Sequence, residues 1–577
     1  MRDPADGGPV TVVMSTATLN QHVAGRRRRR GAVVIALLVT MLVLWFGFLG
    51  LRALYFPDEG RYAEIPREML ASGDWVTPRL NTFPYFEKPP LQYWITASAF
   101  ALFGERDWTA RLWPAISGLL GVLAVLATAR RLYSPRAGWV AAGVMASSAG
   151  YFLATQFLTL DMGLAALLTA AMCAFAVAQD ARSTPAQARQ WMLVAWALCA
   201  LAVMSKGLIG IVLPALALGV YMAITRSFGL LRRLHLAAGI AVMLALTVPW
   251  FVLVEMRNPG FSQFFFVQEH FQRFTQPEHR RPGPWWYFLP IGALALMPWL
   301  PAMVASMRDT RFSPRVHASR HFNPTLFFWC WAGAILVFFS ISASKLPAYI
   351  LPAMGAVVLA IAVPLARRLR TGLRITAATA VACGALLVLG ALPVAALIKI
   401  PQVAQDFRAQ VGWLIGAGVL YALAGGGAWW LVARRRLMAA LAVLVLGGLL
   451  ASQVAIVMAH AVDEYFSAER LLERVASGVR PFQPGVPFYS VDMFDHTVPF
   501  LLGRTVILVK EQGELAYGIA AAPANYIPTV EAFVTRWRQD TDAYAVMPPN
   551  VHEWLLGAGV PMRLIDSDGR RVVVSRR

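Results

Sequence analysis

Apolar runs close to twenty residues long recur along this chain, the first at residues 31–51 and the last at 437–459. At about 1.5 Å of rise per residue, a helix of that length matches the hydrocarbon thickness of a bilayer. Lipid offers the backbone no hydrogen-bond partners, so such runs must satisfy their own N–H and C=O groups, which a helix does. The expected fold is therefore a polytopic α-helical membrane protein. Composition agrees: 58% of the 577 residues are hydrophobic and 14% are charged, where soluble domains carry about a quarter charged residues. The first run is too long for the apolar core of a signal peptide and is expected to be retained as a helix. Cys173, Cys199, Cys330 and Cys383 all fall inside apolar runs. No disulfide framework or thiolate metal site is legible among them.

The net charge of +21 suggests nucleic acid at first sight. Much of it, however, sits in short basic clusters between apolar runs, the pattern by which a membrane protein fixes its orientation. Nucleic acid is therefore not an expected partner. Arg26 to Arg30 precede the first run and put the N-terminus, a basic extension over residues 1–30, in the cytoplasm. Keeping the later clusters at Arg130/Arg131, Arg182, Arg232/Arg233, Arg308 to Arg320, Arg367 to Arg374 and Arg434 to Arg436 inside forces the threading. Thirteen spans result: 31–51, 110–132, 136–157, 162–180, 190–205, 208–225, 235–255, 286–306, 325–341, 347–366, 374–398, 411–432 and 437–459. The apolar stretch at 89–104 is too short for a comfortable span and is expected to lie on or dip into the outer face. The membrane domain is thus expected over 31–460, with a first external loop at 52–109.

The tail, 461–577, changes character. Short strand-like runs ("VPFYSV", "TVILV", "AYAVM", "RRVVVS") alternate with helical stretches ("TVEAFVTRWRQ", "NVHEWLLGAG"), and "DSDG" at Asp566 to Gly569 marks a turn. This predicts a small external α/β domain. It has no Gly-rich phosphate loop and no nucleophile elbow, so it is expected to cover or shape a site without performing chemistry.

The threading gathers conspicuous ionisable residues on the outer side, where such groups near membrane depth mark sites more often than chance. Asp58 and Glu59 open a predicted helix over Asp58 to Met69. Neighbours on a helix point about 100° apart, so the two carboxylates are not a paired acid and base. One can face a cavity while the other pairs with Arg61 or Lys88. Asp161 sits at an external helix end in "TQFLTLDMG", and Lys206 in the next external turn, "MSKG". Lys88 lies in "YFEKPPLQYW" beside Glu87, Tyr85 and Tyr93; Glu87 is either its ion-pair partner or a metal ligand. Residues 255–281 form a third external loop with Arg257, Arg273, Arg280 and Arg281 against the positive-inside bias, which suits an anionic ligand. His270 is either hydrogen-bonded within that loop or joins Glu87 on a divalent cation such as zinc. "SASKLPAYILP" places Lys345 and Tyr349 between two spans, the lysine either snorkelling or holding a lipid phosphate.

Taken in order, "YFPDEGRYAEIPREM", "FPYFEKPPLQYW", "TQFLTLDM", "MSKG" and "SASKLPAYILP" resemble the aminoarabinose lipid A transferases, within the C-type glycosyltransferase (GT-C) fold shared with protein O-mannosyltransferases. The resemblance covers the membrane region well and the tail in outline, and the segment from Lys345 to Pro352 is what narrows it to the lipid A branch. It implies an inner-membrane pentosyltransferase whose active site faces the periplasm. Such an enzyme moves 4-amino-4-deoxy-L-arabinose from undecaprenyl phosphate to lipid A phosphates and confers resistance to polymyxin and other cationic antimicrobial peptides. Asp58 and Asp161 are then the expected catalytic carboxylates. Arg61, Tyr62, Tyr85, Lys88, Lys206, Arg273, Lys345 and Tyr349 are the expected phosphate- and substrate-binding residues, and Glu87 with His270 the expected metal ligands. The expected partners are the lipid-linked donor, lipid A and membrane lipids, with the protein a monomer. A relative that glycosylates protein hydroxyls, or a lipid-linked sugar transporter, are the alternatives. The first needs a strong base and a peptide groove; the second needs inverted repeats, and no internal repeat is visible.

Overall fold

The computed structural model describes residues 16–272, 282–307, 322–477, 482–483 and 485–576, with side chains at 16–30, 270–272, 395 and 402 outside the description. Among these residues nine helices are long and apolar enough to cross a membrane, and eleven if each of two bent pairs counts as one span. The chain is a multi-pass helical membrane protein with a small C-terminal domain built on a β-sheet.

Burial separates the helices by role. Leu160–Ala178 is buried over nearly its whole length and forms the centre of the bundle. Leu369–Leu397 turns Leu386, Leu389, Leu392 and Leu397 outward, each more than 60% exposed, as a lipid-facing helix should. It packs closely on Pro401–Ala433, where a Cβ on Gly384 would stand 2.4 Å from the Gly418 carbonyl oxygen; small residues let membrane helices approach in this way.

Three local features depart from the expected threading. The first helix, Thr16–Phe46, runs back through the arginine cluster and stops short of residue 51. Arginine is a good helix former, so nothing in the cluster breaks the ladder. The runs at 136–157 and 286–306 are each broken. Pro135–Ser147 meets Ala149–Thr155 at 65° across Ser148, whose backbone is extended, and Phe288–Ala295 meets Leu300–Met307 at 105° beside Pro298, which has no N–H to continue a helix. The expected loop at 255–281 is in part helical: Leu236–Arg257 is followed by a π-helix over Gln263–Gln272.

Two elements outside the bundle position the site. Asp58–Ser72 forms the expected helix and extends three residues beyond Met69 to a left-handed Gly73. Leu91–Phe103, thirteen residues, is too short to span and packs on it through Tyr93 and Tyr62, ring centroids 6.3 Å apart. Between them, strands β1 (Arg79–Leu80) and β2 (Phe83–Pro84) form a small hairpin.

The C-terminal sheet holds β3 (Phe488–Val491), β4 (Ile507–Val509), β5 (Tyr526–Ile527), β6 (Tyr544–Met547), β7 (Arg563–Ser567) and β8 (Val572–Ser575), in the order β5-β4-β3-β6-β8-β7. Strands β3 to β6 pair in parallel and β8 joins β6 and β7 antiparallel. The sheet domain is seated on the first loop. Asn81 and Val506 exchange two hydrogen bonds of 2.7 and 2.8 Å, and Arg67 donates to the Gly503 carbonyl at 3.0 Å. Gly60 lies so close to the His496–Thr497 peptide that a Cβ would stand 2.6 Å from the His496 carbonyl carbon. Only glycine permits that approach.

Candidate active site

The first turn of Asp58–Ser72 sends its two carboxylates to different places, as a helix must. Glu59 turns inward and is buried between two arginines. Arg52 donates to it at 2.8 Å through Nη2, Arg111 donates at 2.9 Å through Nε, and the Leu158 N–H adds a third contact at 2.9 Å. Arg111 has no exposed side-chain surface and also donates to the carbonyls of Leu49, Arg52 and Ala53. Burial alone would raise the Glu59 carboxyl, but Arg111 and Arg52 outweigh it and hold it at about 2. The Glu59 carboxylate is answered on both oxygens, and the cluster ties the first span's exit to the next span's entry.

Asp58, one residue earlier, is 54% exposed and lies 3.5 Å from Arg61 Nη2. Arg61 bridges outward: Nη1 donates to the Tyr85 hydroxyl at 3.1 Å, and Nε lies 3.1 Å from Glu514 of the C-terminal domain. Glu514 also meets His496 Nε2 at 2.7 Å. Burial opposes the Arg61 charge, and the Glu514 carboxylate is the ionised neighbour that offsets it. Burial pushes the Tyr62, Tyr85 and Tyr93 hydroxyls up, so they stay neutral.

Within electrostatic range of Asp58 is Lys206, and with it a cavity of about 400 Å³ where several spans end. It is lined by Glu87, Lys88, Asp161, Lys206, Glu269 and Tyr349, with Ser342, Ser344 and the apolar Leu164, Ile209, Val212 and Phe339 completing the wall. Lys206, the last residue of its helix, pairs with Asp161 in the first turn of the central helix and stands over the Tyr349 ring at 5.0 Å. Lys88 lies between two carboxylates, 3.7 Å from Glu87 and 3.5 Å from Glu269. The lining thus carries three carboxylates against two ammonium groups among the described residues. Such a cavity can hold a cationic group at its carboxylates and a phosphate at its lysines.

Of the residues expected from sequence, Glu87, Lys88, Asp161, Lys206 and Tyr349 meet in this cavity. Asp58, Arg61, Tyr62 and Tyr85 form a second group beside it, joined through Arg61. Lys345 is 7% exposed and donates to the Ser340 and Ser342 carbonyls at 3.0 and 2.7 Å; it caps the end of Pro324–Ile341 and does not line the cavity. Arg273 and the side chain of His270 lie outside the described residues. Sequence reasoning missed Glu269 as a partner of Lys88, and missed Arg52 and Arg111 as the partners of Glu59. Arg111, a lone cation opening an apolar run, was the available signal, since such a charge needs a partner.

For a divalent cation such as zinc, the described side chains form no group of three His, Cys, Asp or Glu. Glu87 and Glu269 both face the Lys88 ammonium, so these residues do not by themselves supply a zinc coordination shell.

Comparison with known proteins agrees over most of the chain. Residues 475–576 match the family model of the aminoarabinose transferase C-terminal domain, and residues 32–265 that of dolichyl-phosphate-mannose-protein mannosyltransferase. A crystal structure of ArnT from Cupriavidus metallidurans bound to undecaprenyl phosphate superposes with a TM-score of 0.87 at 38% identity, covering 95% of this chain and 98% of that one. The chain belongs to the aminoarabinose transferase family. Its apo counterpart from the same organism aligns with a TM-score of 0.86. Among curated members, the undecaprenyl phosphate-alpha-4-amino-4-deoxy-L-arabinose arabinosyl transferase of Erwinia tasmaniensis is 34% identical over 308 residues, 53% of this chain and 54% of its own. A second such transferase from Pseudomonas fluorescens is 36% identical over 308 residues, 52% of this chain and 50% of its own. The alignments span about half the length of these curated family members. In this aminoarabinose transferase family member the cavity at Lys88 and Lys206 is therefore set within a fold shared almost end to end with ArnT.

Proposed function

We propose that this protein transfers 4-amino-4-deoxy-L-arabinose from undecaprenyl phosphate to phosphate groups of lipid A at the periplasmic face of the bacterial inner membrane. Resistance to polymyxin and other cationic antimicrobial peptides follows, because the added ammonium lowers the negative charge that attracts them. The observation that carries this reading is the cavity that joins Asp161–Lys206 and Lys88–Glu87/Glu269 in a chain alignable over 95% of its length with an ArnT bound to undecaprenyl phosphate. Among the described residues the lining carboxylates outnumber the ammonium groups, which supports a sugar bearing an ammonium group over a neutral hexose.

The reaction is a displacement at the anomeric carbon. A lipid A phosphate oxygen forms the new C–O bond, the bond to undecaprenyl phosphate breaks, and its electron pair leaves on the departing phosphate. The larger task is electrostatic, since both phosphates are anions and charge grows on the leaving one. Lys88 and Lys206 answer it from the cavity wall, and Asp161 and Glu269 hold the sugar's ammonium. A phosphate monoester loses its second proton near pH 6, so little base catalysis is required. Asp58 orients the acceptor and takes that proton where it remains, while Arg61 holds Asp58 and Glu514 together across the domain interface.

The topology follows the same reading. Among the described residues, counting the shorter Gly31–Phe46 and Ile209–Thr225 with the nine long helices and the two bent pairs, and leaving Leu91–Phe103 at the outer face, supports thirteen spans. The basic extension over 1–30 then lies in the cytoplasm, and the loop at 52–109 and the domain at 461–577 in the periplasm, with a monomer sufficient for the site.

The test is mass spectrometry of lipid A from cells that lack their own transferase, with and without this protein. The amino-sugar adduct is expected only when it is present. Unmodified lipid A beside normal expression and available donor would contradict the proposal.

A further inference from the structure

The helix Leu351–Arg367 has a cavity at each end. At its N-terminal end Pro352 borders the cavity of the candidate active site. At its other end Val363, Ala366 and Arg367 border a second one of about 480 Å³. Fifteen residues of helix, roughly 22 Å, separate Pro352 from Arg367, so the second cavity lies near the opposite membrane surface. Leu112–Leu132 ends at its edge, and Pro135–Ser147 begins there with Ser134 as its cap and Arg136 in its first turn.

The lining is divided. Leu132, Ala137, Val363 and Ala366 make an apolar wall, while Arg136 and Arg367 stand exposed at the rim. Among the described residues neither guanidinium has an ion pair or a hydrogen bond. That distinguishes them from Arg131 and Arg182 on the same side, both paired with Asp180 at 3.2 and 2.9 Å. The thirteen-residue helix that starts at Pro135 also directs its positive end here.

We propose that this second cavity binds the phosphate headgroup of an anionic phospholipid from the leaflet opposite the candidate active site. Two unpaired guanidiniums match phosphate oxygens through their planar donor pairs. The apolar wall below them is what decides between the two sources of phosphate. A free phosphate ion has no use for it, whereas a lipid places the first methylenes of its chains against it. The volume is in the range of ordinary small-ligand pockets, and basic pockets between helix ends on the cytoplasmic side bind such headgroups. The occupant would brace the junction of three helices, Leu112–Leu132, Pro135–Ser147 and Leu351–Arg367, that pack on one another.

The test uses full-length protein in a neutral detergent and follows thermal melting and lipid retention by native mass spectrometry. The additions are phosphatidylglycerol, phosphatidylcholine or inorganic phosphate. Phosphatidylglycerol is expected to raise the melting temperature and to be retained, the other two not. The double variant Arg136→Ala/Arg367→Ala is expected to weaken phosphatidylglycerol binding about twenty-five-fold, since each basic residue near a membrane surface is worth on the order of a factor of five. Arg434→Ala/Arg436→Ala, expected at the same surface but away from the cavity, should leave binding unchanged. Arg136→Lys/Arg367→Lys, which keeps the charge, should retain part of the binding and guards against a variant that simply misfolds. Equal stabilisation by inorganic phosphate would assign the cavity to the free ion. Equal weakening in the Arg434/Arg436 variant would show unspecific attraction to the basic face. Either result would overturn the proposal.

Discussion

Asp58 and Glu59 share a peptide bond and belong to two different clusters of charge. Around Glu59 the carboxylate is taken up on both oxygens by two arginines and a backbone N–H, and Arg111 spends its remaining donors on carbonyls. Asp58 itself is 54% exposed, with Arg61 at 3.5 Å and Lys206 of the neighbouring open cavity within electrostatic range. A saturated buried cluster builds the scaffold; an open one, with carboxylates and ammonium groups around a void, is equipped to receive charge. The difference lies in which side of one helix turn each residue occupies, and it predicts that the two carboxylates fail in different ways when removed.

The largest effect is expected at the saturated cluster. Glu59→Ala leaves Arg52 and Arg111 buried beside each other without a counter-charge, which costs about 3–5 kcal/mol when one partner of a buried pair is lost. Folded yield and detergent melting temperature should both fall sharply; a variant melting like wild type would remove the scaffold role. Next come Lys88→Ala and Asp58→Asn, each expected to lower amino-sugar transfer by about a hundredfold or more, the scale of a lost transition-state partner. Melting should stay within a few degrees of wild type, because both residues border open volume. If they lose stability and activity in parallel, the distinction between the clusters collapses.

A smaller effect is expected at Lys345. Its ammonium answers two carbonyls at a helix end, so Lys345→Ala should cost about 1–3 kcal/mol of stability and leave substrate affinity nearly intact. Loss of activity as complete as at Lys88, with normal melting, would return Lys345 to the substrate.

The smallest effect is a pH dependence. Burial would raise the Glu59 carboxyl, but the two arginines hold it at about 2, below the ordinary 4.5. The unfolded chain therefore takes up the proton more readily. The stability from Glu59 is complete above about pH 4.5 and is lost as pH falls toward 2. Melting measured from pH 6 downward should show this acid limb, and Glu59→Gln should flatten it.

How much of this was legible in the sequence depends on the range of the interaction that decides it. Span positions are set by local apolarity, so the run at 325–341 corresponds to Pro324–Ile341 and that at 437–459 to Leu437–Val457. The breaks at Ser148 and Pro298 were not legible, because each run stays apolar across its bend. In the tail, the strand-like run "VPFYSV" contains β3, Phe488–Val491, yet the order β5-β4-β3-β6-β8-β7 rests on pairings between distant strands. At the site, the separation of Asp58 from Glu59 follows from helix geometry alone. That Glu59 chooses Arg111, 52 residues away, and that Lys88 lies against Glu269, 181 residues away, depends on the packed bundle. Lys345 shows the converse: a motif residue whose charge, once folded, is engaged by its own turn.

The central claim is that the open cluster serves transfer to a lipid phosphate. It is tested most directly with purified protein in detergent, supplied with undecaprenyl phosphate-linked amino sugar and either lipid A or a serine-rich acceptor protein, with product followed by mass spectrometry. The account predicts amino-sugar-modified lipid A, no modified protein, and no product from Lys88→Ala. Transfer to the protein acceptor, or donor left unconsumed in the presence of lipid A by folded wild-type enzyme, would contradict it.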